Sequence, residues 1–362
     1  MSRQDLRIAQ LSFWFMHANE ICRRAQAAPG VQLAAVWDSD QARGNRKAAQ
    51  FGVPFEPELA TLLDRDDIDA VSMCAEPARH PDLVEAAAAA GKHVLIEKPI
   101  AGDVAGARRI VEAARTHGVQ IMPAYNLRHH PLAQRVKQLV DDGAVGEVVR
   151  VRKLHGHYLE YEAADYRADR ITRAWGDPHD ERRDSLFFAG THVSLWFEWM
   201  FGMPESALCV RQTVVDGLPV EDNSTVMFRY PRYVGVSELS ETLAAQQPVT
   251  EIYGTEGTIL QLRGNLPSTR VFNPARTPLL IFNRRDDSWW VPDLPPHFLR
   301  HEDQYHSAGV FFEALRREEP VPTSPEAGLR SIAMLVAAER AAATGREVRM
   351  DEVVTEAEVM AA

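Results

Sequence analysis

The chain has 362 residues, of which 45% are hydrophobic and 25% are charged, and its net charge is −11. This length predicts two domains, and no apolar run approaches the roughly 20 residues of a membrane span. The acidic balance argues against a nucleic-acid partner, because no basic patch is evident to outweigh phosphate repulsion. The sequence has three cysteines, which are scattered at Cys22, Cys74 and Cys209. This number and spacing indicate a reducing cytoplasm and argue against both a disulfide framework and a zinc cluster.

The first third of the chain alternates between predicted strands and helices. Its start runs directly into a strand, so we expect no signal peptide. Apolar runs predict strands over residues 6–11, 31–37, 69–75, 94–96 and 119–122, and helices over 17–28, 41–50, 58–63, 80–90 and 104–116. This alternation predicts a doubly wound parallel sheet with right-handed crossovers, which is a Rossmann domain. We expect this dinucleotide-binding domain to span residues 1–123.

The remaining residues, 124–362, have a different texture. Helices are predicted over 132–142, 191–201, 303–317 and 324–343, and strands over 147–155, 206–216, 224–230, 234–239, 249–253 and 258–262. Strands joined by short turns predict an α+β domain with a large, open, mostly antiparallel sheet. Residues 273–300 are rich in proline, charge and tryptophan, and we expect a lid or a subunit contact there.

The segment from Gly91 to Pro99 concentrates the candidate chemistry. Residues 94–96 are an apolar run of the length of a buried parallel strand. Pro99 ends that strand, because proline cannot donate to a ladder and keeps Lys98 extended. Since ligands of open parallel sheets bind outside the carboxyl ends of strands, Lys98 lies where chemistry is expected. The plain alternative is a solvated lysine paired with Glu97.

Several motifs, in a consistent order, resemble the glucose–fructose oxidoreductase / inositol dehydrogenase / MocA family over nearly the whole chain. They are Pro29-Gly30-Val31 leading to Asp38, then Gly91-Lys92-His93-Val94-Leu95-Ile96-Glu97-Lys98-Pro99, Asn126-Leu127-Arg128-His129-His130-Pro131, Gly190-Thr191-His192, Gly254-Thr255-Glu256-Gly257-Thr258, and residues 342–348. The resemblance implies an NAD-dependent oxidoreductase that acts on a secondary alcohol of a sugar, cyclitol or glycoside. It also implies substrate binding by the second domain and a homodimer or homotetramer built through its open sheet.

The turn after the first strand departs from the family, which carries glycines there. This chain has Ser12, Trp14 and His17 at those positions. Backbone amides and the Ser12 hydroxyl could still bind a pyrophosphate, but a repacked turn that binds no dinucleotide is an alternative. The candidate cofactor-binding residues are Ser12, Phe13, Trp14, Asp38, Ala75, His80, Glu97, Lys98 and Asn126.

Asp38 ends the second predicted strand, where an acid accepts hydrogen bonds from the adenosine ribose. A carboxylate there favours NAD over NADP, because it would repel a 2′-phosphate. Arg43 or Arg46 could soften this preference. The alternative is an aspartate that only initiates a turn.

Lys98 and His192 are the candidate catalytic residues that the resemblance implies. His192 would act as the base and Lys98 would stabilise the developing charge on the same oxygen. Relatives often carry an aspartate one turn before the histidine, where this chain has Phe188. The candidates to supply a phenol instead are Tyr158, Tyr161 and Tyr166, and the candidate substrate residues are Arg128, His157 and Trp175.

The histidines of the second half raise the question of a metal. The spacing of His155, His157, His179 and His192 matches no metal-binding signature, so we expect no metal. Two other functions stay open. One is an NAD-dependent lyase, hydrolase or epimerase that works through a transient keto intermediate without net redox change. The other is a cofactor-free sugar-binding or assembly protein of the same fold.

Overall fold

A computed structural model describes residues 5–156, 184–215, 221–243, 249–262, 277–294, 306–355 and 358. The chain divides into two compact units. The first contains the described residues of 5–126 and 306–332, and the second those of 127–294 and 333–358. The predicted division between residues 123 and 124 stays a prediction about the domains.

The first unit is built on a five-stranded parallel sheet in the order β2-β1-β3-β4-β5, which confirms the Rossmann architecture. Its strands are β1 (Leu6–Leu11), β2 (Val31–Trp37), β3 (Ala70–Met73), β4 (His93–Ile96) and β5 (Ile121–Pro123). The helices between and beside them are α1 (His17–Ala27), α2 (Gln41–Phe51), α3 (Leu59–Leu63), α4 (His80–Ala89) and α5 (Val104–His117), with a 3₁₀ turn at Pro77–Arg79.

Local chemistry sets the helix ends in this unit. The Asp40 carboxylate accepts from Arg43 N at 2.9 Å and begins α2, and Asp103 accepts from Gly106 N at 2.7 Å and begins α5. α5 is followed by Gly118, whose φ of 63° is the left-handed conformation that favours glycine. These capping signals are written in the sequence, and they explain why the predicted helix limits lie so close to the observed ones.

Helix α10 (His306–Arg317) belongs to the first unit although it follows the second unit's strands in sequence. Its apolar residues recur at the spacing of one helix face, and they pack into the core that contains Ile8 and Ile21 of β1 and α1. The buried residues on this face are Ala308, Phe311, Phe312 and Leu315. The sequence predicted the helix but placed it with residues 124–362, because periodicity shows that a face is buried and not which core buries it.

The second unit contains a nine-stranded sheet in the order β13-β12-β11-β10-β6-β9-β8-β7-β14. All neighbours are antiparallel except β6 and β9, which confirms the large, mostly antiparallel sheet. The strands are β6 (Val148–Gly156), β7 (Ser206–Gln212), β8 (Asn223–Arg229), β9 (Val234–Ser240), β10 (Thr250–Gly254), β11 (Gly257–Gln261), β12 (Leu279–Asn283), β13 (Ser288–Trp290) and β14 (Val348–Arg349). The other described helices are α6 (Asn126–His129), α7 (Pro131–Asp141), α8 (Ser185–Phe188), α9 (Gly190–Phe201) and α11 (Pro325–Thr344), with a 3₁₀ turn at Met350–Glu352.

The described part of the proline- and tryptophan-rich stretch forms regular structure. Strands β12 and β13 pair as a hairpin at the edge of the nine-stranded sheet, where Ile281 lies opposite Trp290 and Phe282 opposite Trp289. The expectation of a lid or a subunit contact over residues 273–300 stays a prediction. Their composition hid a short alternation in which Leu279 and Ile281 face the core. No helix in the described part of the chain is long and apolar enough to cross a membrane.

Candidate active site

Asp38, at the carboxyl end of β2, is buried and fully hydrogen-bonded. Its carboxylate accepts from Phe13 N at 2.8 Å, from Asp40 N at 2.9 Å, and from Arg43 Nε and Nη2 at 2.8 and 2.7 Å. A carboxylate offers about four lone-pair positions, so the protein itself occupies them all. Asp38 thus clamps the turn after β1 to the start of α2.

The turn after β1 also uses its backbone donors within the protein. Ser12 adopts a positive φ of 63°. Phe13 N donates to Asp38, Trp14 N to Ser12 Oγ at 3.2 Å, and Phe15 N to Cys74 O at 3.1 Å. A glycine-rich turn would offer such donors to a pyrophosphate. Here they stabilise the turn, and helix α1 begins directly after it.

The aromatic side chains of this turn lie in different places. Phe13 is buried in the core, where its ring stacks on Phe51 at 6.0 Å between centroids. Trp14 is half-buried with its ring 6.3 Å from that of Phe15. Phe13 therefore offers a ligand no exposed ring, whereas Trp14 is partly accessible.

Glu97 and Lys98 follow β4 at the same edge of the sheet. The Lys98–Pro99 peptide bond is cis. The buried Lys98 ammonium lies 5.2 Å from the centroid of the Phe15 ring, which is a cation–π contact. Glu97 Oε1 lies 3.0 Å from His17 Nδ1. The sequence marked His17 only as a missing glycine, and the structure places it beside Glu97.

The second carboxylate oxygen of Glu97 identifies a place for a ligand. Oε2 is buried and has no hydrogen-bond partner among the described residues. A buried acceptor without a donor is costly, and a ligand hydroxyl or amide would relieve that cost. The residues present therefore fit a dinucleotide at this edge, although the amides of Phe13, Trp14 and Phe15 already donate within the protein.

Three other residues predicted to bind the cofactor are buried in the first unit. His80 is fully buried with Nδ1 3.1 Å from Pro99 O, and burial lowers the pKa of its imidazole to about 4. Ala75 is buried, and Asn126 Oδ1 accepts from Ser307 N at 3.3 Å. His80 and Asn126 thus support the segment around Lys98 and the start of α10.

In the second unit, His192 lies in the first turn of α9 and faces His155 on β6. Both side chains are buried, and their ring centroids are 5.2 Å apart. Gly190 permits the close approach of α9 to β9, because a Cβ at that position would lie 2.8 Å from Leu239 Cδ1. The glycine before the histidine therefore has a packing reason.

Lys153 is a buried base that sequence reasoning missed. Its ammonium donates to Thr250 Oγ1 at 2.7 Å and lies 4.8 Å from the centroid of the Trp196 ring. Burial lowers the pKa of Lys153 to about 7. The available signal was the alternation of β6, which puts Val151, Lys153 and His155 on one face.

The residues around the expected catalytic acid have structural partners. Phe188 ends α8, and Ala189 separates it from α9. Asp184 caps α8 through Phe187 N at 2.9 Å and pairs with Arg211 at 2.8 Å. Asp184 is thus engaged within the protein, and Phe188 carries no carboxylate.

The remaining substrate candidates are only partly visible. The Arg128 guanidinium lies 5.8 Å from the Trp199 ring centroid, and His130 Nδ1 accepts from Leu132 N at 3.1 Å to cap α7. The candidates outside the described residues are His157, Tyr158, Tyr161, Tyr166, Trp175 and His179.

Two family models match the chain. Residues 15–125 match the GFO/IDH/MocA model described as an oxidoreductase family with an NAD-binding Rossmann fold, and residues 133–260 match the GFO/IDH/MocA C-terminal domain. Together they cover more than half of the chain.

Individual relatives agree with these models. A dTDP-3,4-didehydro-2,6-dideoxy-alpha-D-glucose 3-reductase of Streptomyces antibioticus is 40% identical over 122 residues, which are 34% of this chain and only 37% of that protein. A 1,5-anhydro-D-fructose reductase of Ensifer adhaerens is 25% identical over 334 residues, covering 90% and 92% of the two chains. A solved levoglucosan dehydrogenase, in complex with NADH and levoglucosan, superposes with a TM-score of 0.79 at 19% identity, covering 96% and 100%. This last likeness shows the fold alone.

Proposed function

The chain belongs to the GFO/IDH/MocA oxidoreductase family, and on this premise we propose that it is an NAD-dependent oxidoreductase acting on a secondary alcohol of a sugar, cyclitol or glycoside. The observation that carries the proposal is the placement of Glu97 and Lys98 at the carboxyl end of β4, with a buried Glu97 oxygen that lacks a donor among the described residues. The names of two relatives support the substrate class, since they are reductases of a dTDP-linked sugar and of an anhydrosugar.

Each unit supplies one part of the proposed chemistry. Oxidation of a carbinol removes a hydride and a proton, and the bound nicotinamide supplies the hydride acceptor. Lys98 donates a hydrogen bond to the substrate oxygen and stabilises its developing negative charge. His192 takes the hydroxyl proton, with its ring orientation supported by His155. Glu97 orients Lys98 or the nicotinamide and is not itself the base.

The cofactor contacts at this edge are part of the proposal. They involve Ser12, Phe13, Trp14, Asp38, Ala75, His80, Glu97, Lys98 and Asn126. Phe13 and His80 act as support, because the Phe13 ring lies in the core and His80 Nδ1 faces Pro99 O, and Ala75 acts through its backbone. The NAD preference rests on the negative charge of Asp38, which Arg43 partly neutralises at 2.7 Å. Measured affinities for NAD and NADP decide this preference.

Two measurements test the activity. Titration with NADH should show binding, and a panel of cyclitols, aldoses and anhydrosugars with NAD should yield NADH with at least one of them. Lys98→Met should abolish turnover and leave NADH affinity nearly intact, whereas Lys137→Met, a surface change on α7, should alter neither. Failure of the wild-type chain to bind NADH would favour the cofactor-free binding protein. Turnover without NADH accumulation would favour the transient-redox reading.

We also propose a homodimer or homotetramer formed through the open face of the nine-stranded sheet. Exposed apolar side chains support this association, since an uncovered apolar surface is a liability for a monomer. They include Val210, Met227, Val234, Trp289 and Trp290. Sedimentation at micromolar concentration should show the oligomer, and a monomer would contradict the proposal.

A cytoplasmic location completes the proposal. Cys22, Cys74 and Cys209 are buried free thiols, which suits a reducing compartment.

A further inference from the structure

His17 begins α1 at the carboxyl edge of the parallel sheet, at a position where the family resemblance implies a glycine. We propose that its imidazole binds a phosphate of the dinucleotide and replaces the backbone donors that a glycine-rich turn would offer. This inference rests on the proposed function, because it names a residue that holds the same cofactor.

The turn itself creates the need for such a residue. The amides of Phe13, Trp14 and Phe15 donate to Asp38, Ser12 Oγ and Cys74 O. A pyrophosphate that approached these amides would have to displace hydrogen bonds that hold the turn together. A side-chain donor at the start of the next helix avoids that loss.

Two contacts fix the orientation of the His17 ring. Nδ1 lies 3.0 Å from Glu97 Oε1, and the ring centroid lies 4.3 Å from that of Phe15 in an edge-to-face arrangement. Because a carboxylate only accepts, Nδ1 carries the hydrogen in this pair. The side chain is still 17% exposed. A ring held in this way is preorganised for a ligand and loses little freedom on binding.

Electrostatics at this position suit a phosphate. His17 lies in the first turn of α1, where the helix dipole favours an anion, and Met16 gives the helix no side-chain cap. Since Nδ1–H donates to Glu97, a hydrogen bond from Nε2 to a phosphate requires the imidazolium form of His17, which makes that bond charge-assisted.

Glu97 provides a second, independent indication of a ligand. The residue is only 2% exposed, and its Oε2 has no hydrogen-bond donor within the described part of the chain. Oε1 faces His17. A hydroxyl or amide next to the bound phosphate would donate to Oε2. His17 and Glu97 thus present a donor and an acceptor side by side, as a phosphorylated ribose requires.

Binding of cofactor fragments tests this assignment without turnover. The full-length chain, freed of nucleotide, is titrated with NADH, with ADP-ribose and with adenosine. His17→Gln should weaken binding of both NADH and ADP-ribose about tenfold or more, because each loses a charge-assisted hydrogen bond. Adenosine, which has no phosphate, should bind the variant and the wild type equally. His117→Gln, an exposed histidine on α5, is the matched control and should change nothing.

A measurement on the wild type protects the test against a variant that folds poorly. ADP-ribose should shift the imidazole NMR signals of His17, and adenosine should not. If the signals do not move, or if ADP-ribose binds the variant as tightly as the wild type, His17 binds no phosphate. If only NADH binding weakens, His17 acts through Glu97 on the nicotinamide end and the inference is overturned. If the wild type binds neither NADH nor ADP-ribose, the proposed function itself fails.

Discussion

Two polar regions differ in how their buried charges are paired. The first region is the carboxyl edge of the parallel sheet, and the second is formed by β6 and α9. At the carboxyl edge of the parallel sheet each buried acid faces a base: Asp38 faces Arg43, and Glu97 faces His17. On β6 the buried Lys153 faces a neutral hydroxyl and an aromatic ring. A base buried without an anionic partner loses part of its affinity for the proton, whereas an oppositely charged neighbour offsets that effect.

The comparison also separates two kinds of site. The paired charges of the first region hold a turn and a strand end in fixed geometry, which suits the binding of a large charged ligand. The second region instead buries its bases, with His155 beside His192 and Lys153 beside Trp196. Four substitutions test this contrast.

The largest effect is expected from His192→Ala. If His192 is the general base, turnover should fall about 10²- to 10⁴-fold. The ascending limb of the pH–rate profile near the histidine range should disappear with the ionising group. His117→Ala is the surface control. If His192→Ala changes neither the turnover rate nor the ascending limb of the pH–rate profile, the second region has no catalytic role.

Lys153→Met should stabilise the protein. Burial lowers the pKa of Lys153 from 10.5 to about 7. Between pH 7 and pH 10.5, Lys153 is therefore protonated mainly in the unfolded chain and neutral in the folded chain. The wild type therefore gains stability as pH rises from 7 to 10, and the variant should lack that slope. At pH 7 the gain in unfolding free energy is on the order of 4 kcal/mol at most. Denaturant unfolding at pH 7 and pH 10 measures it. A loss of stability in the variant would mean that Lys153 has an anionic partner.

His80 should make the first region sensitive to acid. Its pKa falls from 6.5 to about 4 in the folded chain, so as pH drops through this window only the unfolded state binds the proton. Stability should decrease by on the order of 3 kcal/mol between pH 6.5 and 4. His80→Gln should show a smaller decrease over the same range in thermal unfolding, compared with His117→Gln. Equal slopes in the two variants would show that other groups cause the acid sensitivity.

Asp38→Ala should act on both cofactors. The sequence alone predicts a selective loss of NAD affinity through the ribose. The four hydrogen bonds to Phe13, Asp40 and Arg43 predict in addition a lower unfolding free energy, by about 2 kcal/mol, and weaker binding of NAD and NADP alike. Calorimetric titrations with each cofactor and a denaturant curve check this. Selective loss of NAD with intact stability would favour the ribose contact over the clamp.

The parallel sheet, the mostly antiparallel sheet and the position of Lys98 at the end of β4 could be predicted from the sequence. These follow from short-range patterns: apolar periodicity defines each strand or helix, and caps such as Asp40, Asp103 and Gly118 define its ends. Pro99 marked the end of β4 for the same local reason. Even the hairpin of β12 and β13 has an alternating pattern, although proline and charge around it obscured the signal.

Which side chains contact each other could not be predicted from the sequence. His17 and Glu97 are 80 residues apart, and Lys153 and Thr250 are 97 residues apart. Their pairing depends on strand order and on which core each helix joins, as α10 also shows. A sequence pattern states that a residue faces inward. Whether that residue finds an opposite charge, a hydroxyl or an aromatic ring is fixed by the packing of distant segments, and with it the charge that the residue carries.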